Sequence, residues 1–280
     1  MLWINRRLGW RIGYALLYPI TAYFVAASPA ARVASRDFLR RAAAGPPTLA
    51  RVTRHIFTYA AVILDRVAIL SGQHGHLRTE VEGIDALKAA LARGRGCVLL
   101  GAHFGSFDVL RGFGRASPVS IRPLMYRAQP NQLSTIIEAI DPSLQAAIIE
   151  LGHPETMLRA RECIARGEII GLLADRAPRG ERMIKAPFLG EIAYFPAGPL
   201  ILASLLDAPV LLSFGIRTGP RRYSARFIPF ADTITLRRET RQEDLSRYAG
   251  RYAAILGDMC RSFPCNWFNF YDFWEQRDEA

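Results

Sequence analysis

The stretch Gly96-Cys-Val-Leu-Leu-Gly-Ala-His-Phe-Gly-Ser-Phe-Asp108 decides how this chain is read. Cys97 to Leu100 is a short apolar run bracketed by glycines, the pattern of a fully buried strand in an α/β sheet. Behind it stand His103, a Gly-Ser break at 105 and 106, and Asp108. On one continuous helix the spacing of His103 and Asp108 turns them about 140° away from each other. A strand that ends, turns at Gly105 and starts a helix can instead point both side chains into one crevice. That crevice lies at the carboxyl end of a strand, where open α/β sheets place ligands. There the Asp108 carboxylate would fix the tautomer of His103 and leave the other ring nitrogen free as a base. The competing reading is a core histidine beside a helix-capping aspartate.

Outward from this stretch, apolar runs and helical periods alternate. Upstream, Leu49, Val52, Ile56, Tyr59, Ala60, Ile63, Val67 and Leu70 recur at three- and four-residue spacing. They follow a break at Gly45-Pro46-Pro47 and predict one apolar face of a long helix. A short strand at Glu80–Glu82 and a helix from Ile84 to Arg93 deliver the chain to Cys97. Downstream, strands are expected at Val119–Tyr126, Ala146–Leu151, Ile169–Ala174, Pro209–Ile216 and Tyr223–Pro229. Helices are expected at Leu133–Ile140, Thr156–Ala165 and Ala197–Leu206. The order predicts an α/β fold, a mixed central sheet flanked by helices, with an N-terminal hydrophobic membrane-associated helix.

Composition narrows the partners. Of 280 residues half are hydrophobic, and the formal charge of +11 favours anionic ones: nucleic acid, anionic headgroups or an acidic carrier protein. No recognised nucleic-acid motif accompanies the charge. Cys97, Cys163, Cys260 and Cys265 show no CxxC pairing and no histidine at zinc-finger spacing, which favours a reducing compartment. His74 and His76 read as a solvent-exposed pair, so no metal and no cofactor are expected.

Residues 1–35 differ from the rest. Trp3 and Trp10 stand among arginines, Ile12 to Ser28 carries no charge, and Arg32 and Arg36 follow. The uncharged run is shorter than the ~20 residues of a full span and contains Pro19. It reads as a retained anchor or an interfacial helix, against a cleaved signal peptide or a buried core helix. The domain division is therefore 1–35 for this anchor and 36–280 for a catalytic domain. The aromatic run Trp267-Phe268-Asn269-Phe270-Tyr271-Asp272-Phe273-Trp274 walls an apolar substrate site, dips into a bilayer interface, or packs as core.

Two further stretches carry chemistry. Tyr126-Arg127, followed by Asn131, ends one predicted strand, and Asp175-Arg176 ends another. Arginines at such a place suit phosphate or a developing oxyanion, against a solvated basic loop. With His103-Phe-Gly-Ser-Phe-Asp108, Pro187-Phe188-Leu189-Gly190, Ala193 and Gly198-Pro199 in this order, the sequence resembles the lysophospholipid acyltransferase superfamily. The likeness is to its bacterial lipid A late acyltransferase branch, whose HX4D block His103 and Asp108 match. Arg176 stands where those enzymes usually carry glutamine. The C-terminal aromatic run resembles a subgroup of bacterial acyltransferases.

The resemblance implies transfer of a fatty acyl group from acyl carrier protein or coenzyme A to a hydroxyl of a membrane lipid, at the cytoplasmic face of the bacterial inner membrane. It implies His103 and Asp108 as the catalytic pair and Arg127, Asp175, Arg176 and Gly190 as substrate-binding residues, with Asp175 orienting an arginine. Two other classes are a metal-dependent hydrolase or phosphoesterase, and a non-enzymatic basic membrane-associated protein.

Overall fold

A computed structural model describes residues 10–42, 45–71, 77–110, 120–126, 146–176, 178 and 180–275. The N-terminal run forms a helix, α1 (Trp10–Ala27), which continues through Pro19. At Ser28 the chain bends by 96° into α2 (Pro29–Arg41). No single helix among the described residues is long and apolar enough to cross a membrane; only the bent pair α1 and α2 passes that test together. Residue 35 falls inside α2, and Tyr14 and Leu17 of α1 are buried against the next helix, α3 (Leu49–Leu70).

Helix α3 starts where Thr48 accepts from the Arg51 backbone N–H, a side-chain cap of the kind that stabilises a helix by about 1 kcal/mol. Its apolar face differs from the expected one. Leu49 and Tyr59 are exposed, while His55 and Asp65 are buried. The reason is its neighbours: α3 packs on α1, on α2 and on the C-terminal loop, so its second half is enclosed nearly all round.

The chain then follows the predicted alternation: β1 (Arg78–Glu82), α4 (Ile84–Leu91), β2 (Val98–Gly101), β3 (Ile121–Tyr126), β4 (Ile149–Leu151), α5 (Thr156–Ala165) and β5 (Ile169–Leu173). The helix expected at Leu133–Ile140, with Asn131, His74 and His76, lies outside the described residues. After β5 come two strands that the periodicity did not reveal, β6 (Met183–Phe188) and β7 (Glu191–Pro196), paired as a separate antiparallel hairpin. Its two-residue turn, Leu189-Gly190, has φ of 50° and 90°, both in the left-handed region that tight hairpins use. Leucine is strained there by roughly 1–2 kcal/mol, and burying its side chain offsets that.

The remainder is α6 (Gly198–Leu206), β8 (Val210–Gly219), β9 (Arg222–Ala231) and α7 (Arg241–Ser262). The predicted elements stop at Pro229, so α7 is an addition; Leu245, Ala249, Tyr252, Ala253 and Leu256 form its buried face.

Seven strands make one sheet in the order β1-β9-β8-β2-β5-β3-β4. All neighbours are parallel except β8 and β9. Strand β2 lies between β5 and β8 and is buried at every residue. Val98 and Leu100 face a large core shared with α2, α3, α5, α6 and α7, while Cys97 and Leu99 face a smaller core under α4. Burying each Val or Leu side chain contributes about 1.5–3 kcal/mol, so the strand that leads to His103 is firmly held.

Candidate active site

Because β2, β5 and β3 are adjacent and parallel, their carboxyl ends open on one edge of the sheet. Strand β2 ends at Gly101, whose carbonyl accepts from Tyr252 Oη at 2.9 Å and from the Ala174 backbone N–H at 3.0 Å. His103 follows on a tight turn. Gly105 has φ of +61°, and a Cβ there would lie 2.0 Å from the Gly215 carbonyl oxygen. A Cβ on Gly215 would in turn lie 2.0 Å from the Ser106 carbonyl. Two glycines thus let the turn lie flat on β8, where the Ser106 N–H donates to Gly215 O at 2.7 Å before a helix begins at Phe107.

The turn aims His103 at Asp175, just beyond β5. The His103 Nδ1 lies 2.8 Å from Asp175 Oδ1, and the His103 backbone N–H donates to both carboxylate oxygens at 3.0 and 2.9 Å. Trp267 Nε1 and Asn269 Nδ2 donate to Oδ2 at 3.1 and 2.9 Å. The Asp175 side chain is wholly buried, and that of His103 is 31% exposed.

Burial alone raises the Asp175 pKa. The His103 ring, Arg176 and the Asn269 amide oppose it and hold the carboxyl down at about 2. An ionised carboxylate only accepts, so Nδ1 carries the proton and the Nε2 lone pair is left for chemistry. Nε2 has no partner among the described residues.

This geometry differs from the expected pairing. The carboxylate on the imidazole is Asp175, not Asp108, and Asp175 reaches the expected arginine, Arg176, through the Asn269 amide. Asp108 lies in the first turn of the following helix and faces Arg66, whose Nε is 2.8 Å from Oδ2. The reason is chain direction: the turn at Gly105 carries Asp108 under the sheet edge, while β5 runs alongside β2 and ends level with His103.

Arg176 is at the site, donating from Nε to Asn269 Oδ1 and from Nη2 to Phe268 O. Arg127 lies outside the described residues; Tyr126 before it ends β3 on the same edge. Gly190 sits in the β6–β7 turn, and no contact among the described residues joins it to His103 or Asp175.

The aromatic run is largely core. Trp267 is wholly buried and Phe268 and Phe273 nearly so, which removes the bilayer-dipping reading for these three. The asparagines in and just before it, Asn269 and Asn266, were not singled out from the sequence. Asn266 bonds the Arg217 backbone at 2.8 and 3.2 Å, and its carbonyl accepts from the Gly105 N–H at 2.7 Å. The Phe268 N–H donates to His103 O at 2.8 Å. Two asparagines flanking buried aromatics were the available signal, because buried amides need partners.

Among the described residues no three His, Cys, Asp or Glu side chains converge where they could hold a metal ion. A model of the family described as bacterial lipid A biosynthesis acyltransferase matches residues 41–276. No curated protein matches the chain.

Proposed function

The chain belongs to the bacterial lipid A biosynthesis acyltransferase family, and on that premise we propose that it moves a fatty acyl group from a thioester to a hydroxyl of a membrane glycolipid. The donor is an acyl group on acyl carrier protein or coenzyme A. The observation that carries the proposal is the His103 Nδ1 to Asp175 contact of 2.8 Å, which leaves Nε2 as a base at the sheet edge.

In this mechanism His103 Nε2 takes the proton of the acceptor hydroxyl as its oxygen attacks the thioester carbonyl carbon. The buried Asp175 carboxylate stabilises the imidazolium that forms. The tetrahedral oxyanion collapses, the C–S bond breaks, and the imidazolium returns its proton to the departing sulfur. The ester product and a free thiol result, with no covalent enzyme intermediate. Arg176, together with Arg127, which follows Tyr126 in the sequence, grips an acceptor phosphate or steadies the oxyanion.

The site is assigned to the cytoplasmic face of the inner membrane; seating on a membrane surface is supported by the outer side of α1, which exposes Ile12, Tyr18, Tyr23 and Phe24. Val33 on α2 is likewise exposed, and the exposed Arg36 supplies charge for anionic headgroups. With the bend after Ala27, this describes a pair of helices lying in the interface rather than crossing it.

The test is His103→Ala, assayed for transfer from long-chain acyl-CoA or acyl carrier protein to lipid A bearing free hydroxyls. Turnover falls by about 10²–10⁴, the usual contribution of a positioned base, while the protein still sediments with membranes. Turnover at the wild-type rate removes His103 as the base.

A further inference from the structure

We propose that Asn269, on the loop after α7, is a positioning residue that joins the carboxylate orienting His103 to the Arg176 guanidinium; the assignment rests on the acyl-transfer reading above. Asp175 and Arg176 are neighbours in the chain, yet no direct ion pair joins them. The Asn269 amide stands between. Its Nδ2 donates to Asp175 Oδ2 at 2.9 Å and its Oδ1 accepts from Arg176 Nε.

That polarity is forced. A carboxylate only accepts and a guanidinium only donates, so the group between them must donate at one end and accept at the other. Among the short side chains an amide does this. An aspartate at 269 would serve Arg176 and repel Asp175; an alanine would leave Asp175 Oδ2 one donor short. Asn269 is buried, so both of its hydrogen bonds are made away from bulk water.

The loop is held from several sides, which is what a positioning role requires. Trp267 adds its indole N–H to the same Asp175 oxygen, and Phe268 bonds the His103 carbonyl. Behind them, the Trp267 carbonyl lies 2.7 Å from Nε2 of the buried His55, whose Nδ1 meets Ser35 Oγ at 2.8 Å. The C-terminal loop therefore locks base, carboxylate and arginine into one unit. Asn269 is the member that touches both charges. Removing it should loosen the grip on the Nδ1–H tautomer of His103 and let Arg176 swing away from the cleft.

The experiment uses the full chain labelled with 15N-histidine in detergent micelles, the His103 signal being assigned with His103→Gln among the five histidines. At a pH where the imidazole is neutral, the wild type shows the Nδ1–H tautomer at His103. Asn269→Asp and Asn269→Ala shift it towards a mixture with Nε2–H. With long-chain acyl-CoA and hydroxyl-bearing lipid A as probes, kcat falls about 10–100-fold, the usual loss when a hydrogen bond to a charged group goes. The aspartate variant loses more than the alanine one. KM for acyl-CoA changes less than kcat.

A folded Asn269→Asp protein with the wild-type tautomer and wild-type kcat overturns the positioning role, and does so while His103→Ala remains inactive. A tautomer that responds to Asn269→Asp in a wild type that turns over no thioester keeps the role and overturns the transfer reading. Asn269→Ala, which adds no buried charge, carries the same readings if the aspartate variant fails to fold.

Discussion

Two of the buried aspartates, Asp175 and Asp65, have their pKa values shifted in opposite directions. Asp175, at the end of β5, receives N–H donors on both oxygens and stays ionised, with its pKa held at about 2. Asp65, in α3, receives the Tyr14 and Tyr223 hydroxyls, both on Oδ2 at 2.7 Å, with Arg217 Nε at 3.9 Å. Its pKa is raised: burial dominates, and the two phenols with Arg217 and Arg221 recover only part of it. Burial is common to both, so it does not decide the charge. What sets the direction is the donor set: Asp175 receives N–H groups on both oxygens beside the His103 ring, whereas Asp65 receives two phenols on one oxygen. Asp175 is built to carry a charge for a histidine, whereas Asp65 is built to tie α1, α3 and the β8–β9 hairpin together.

The contrast breaks most visibly in activity. Asp175→Asn should lower kcat for acyl transfer by about 10²–10⁴, because the imidazole loses the acceptor that sets its tautomer and stabilises its cation. Asp108→Asn, measured beside it, should stay within about tenfold of wild type, since Asp108 faces Arg66 and not the ring. Equal losses in the two variants would return Asp108 to the catalytic pair.

The second difference is in stability. Asp65→Leu leaves two buried hydroxyls without their acceptor and should lower the unfolding free energy by about 2–4 kcal/mol. Asp65→Asn keeps an acceptor oxygen and should cost less, with turnover unchanged in the folded protein. Chemical denaturation and acyl-transfer rates of the two variants check this together.

The smallest effect is one of sign. The folded-state pKa of Asp175 lies below the unfolded value of about 4, so its contribution is complete above that pH. It is lost as pH falls towards 2 and amounts to about 2 kcal/mol. Asp65 works in the other direction. Its raised pKa makes the fold bind more protons than the unfolded chain, so its contribution is complete below about pH 4 and declines as pH rises through the folded value. Unfolding titrations from pH 2 to 7 should show Asp175→Asn flattening the acid limb and Asp65→Asn flattening the limb above pH 4. A shared response would mean that the two carboxylates titrate alike.

What could be read in advance follows the same divide. Cys97–Leu100 as a buried strand, the break at Gly105 and the helix Thr156–Ala165 depend on neighbours a few residues away, and the structure has them. The β6–β7 hairpin escaped although Ile184, Ala186 and Phe188 alternate with exposed Met183, Lys185 and Pro187, because an apolar methionine on the exposed face and a proline inside the strand make the stretch read as a loop. His55 and Asp65 escaped because a polar residue inside a helical period reads as a solvent face until its tertiary neighbours are known.

By itself the sequence determined the α/β class, the placing of His103 at the end of a central strand and the cluster of candidate groups at one sheet edge. These follow from hydrophobic period, glycine positions and chain order, which act over short distances. Only the tertiary structure decided that the partner of His103 is Asp175, 72 residues away, and that a loop more than 90 residues beyond Asp175 supplies two of its donors. That choice is made by which strands lie side by side and where each one ends, and spacing along the chain does not encode it.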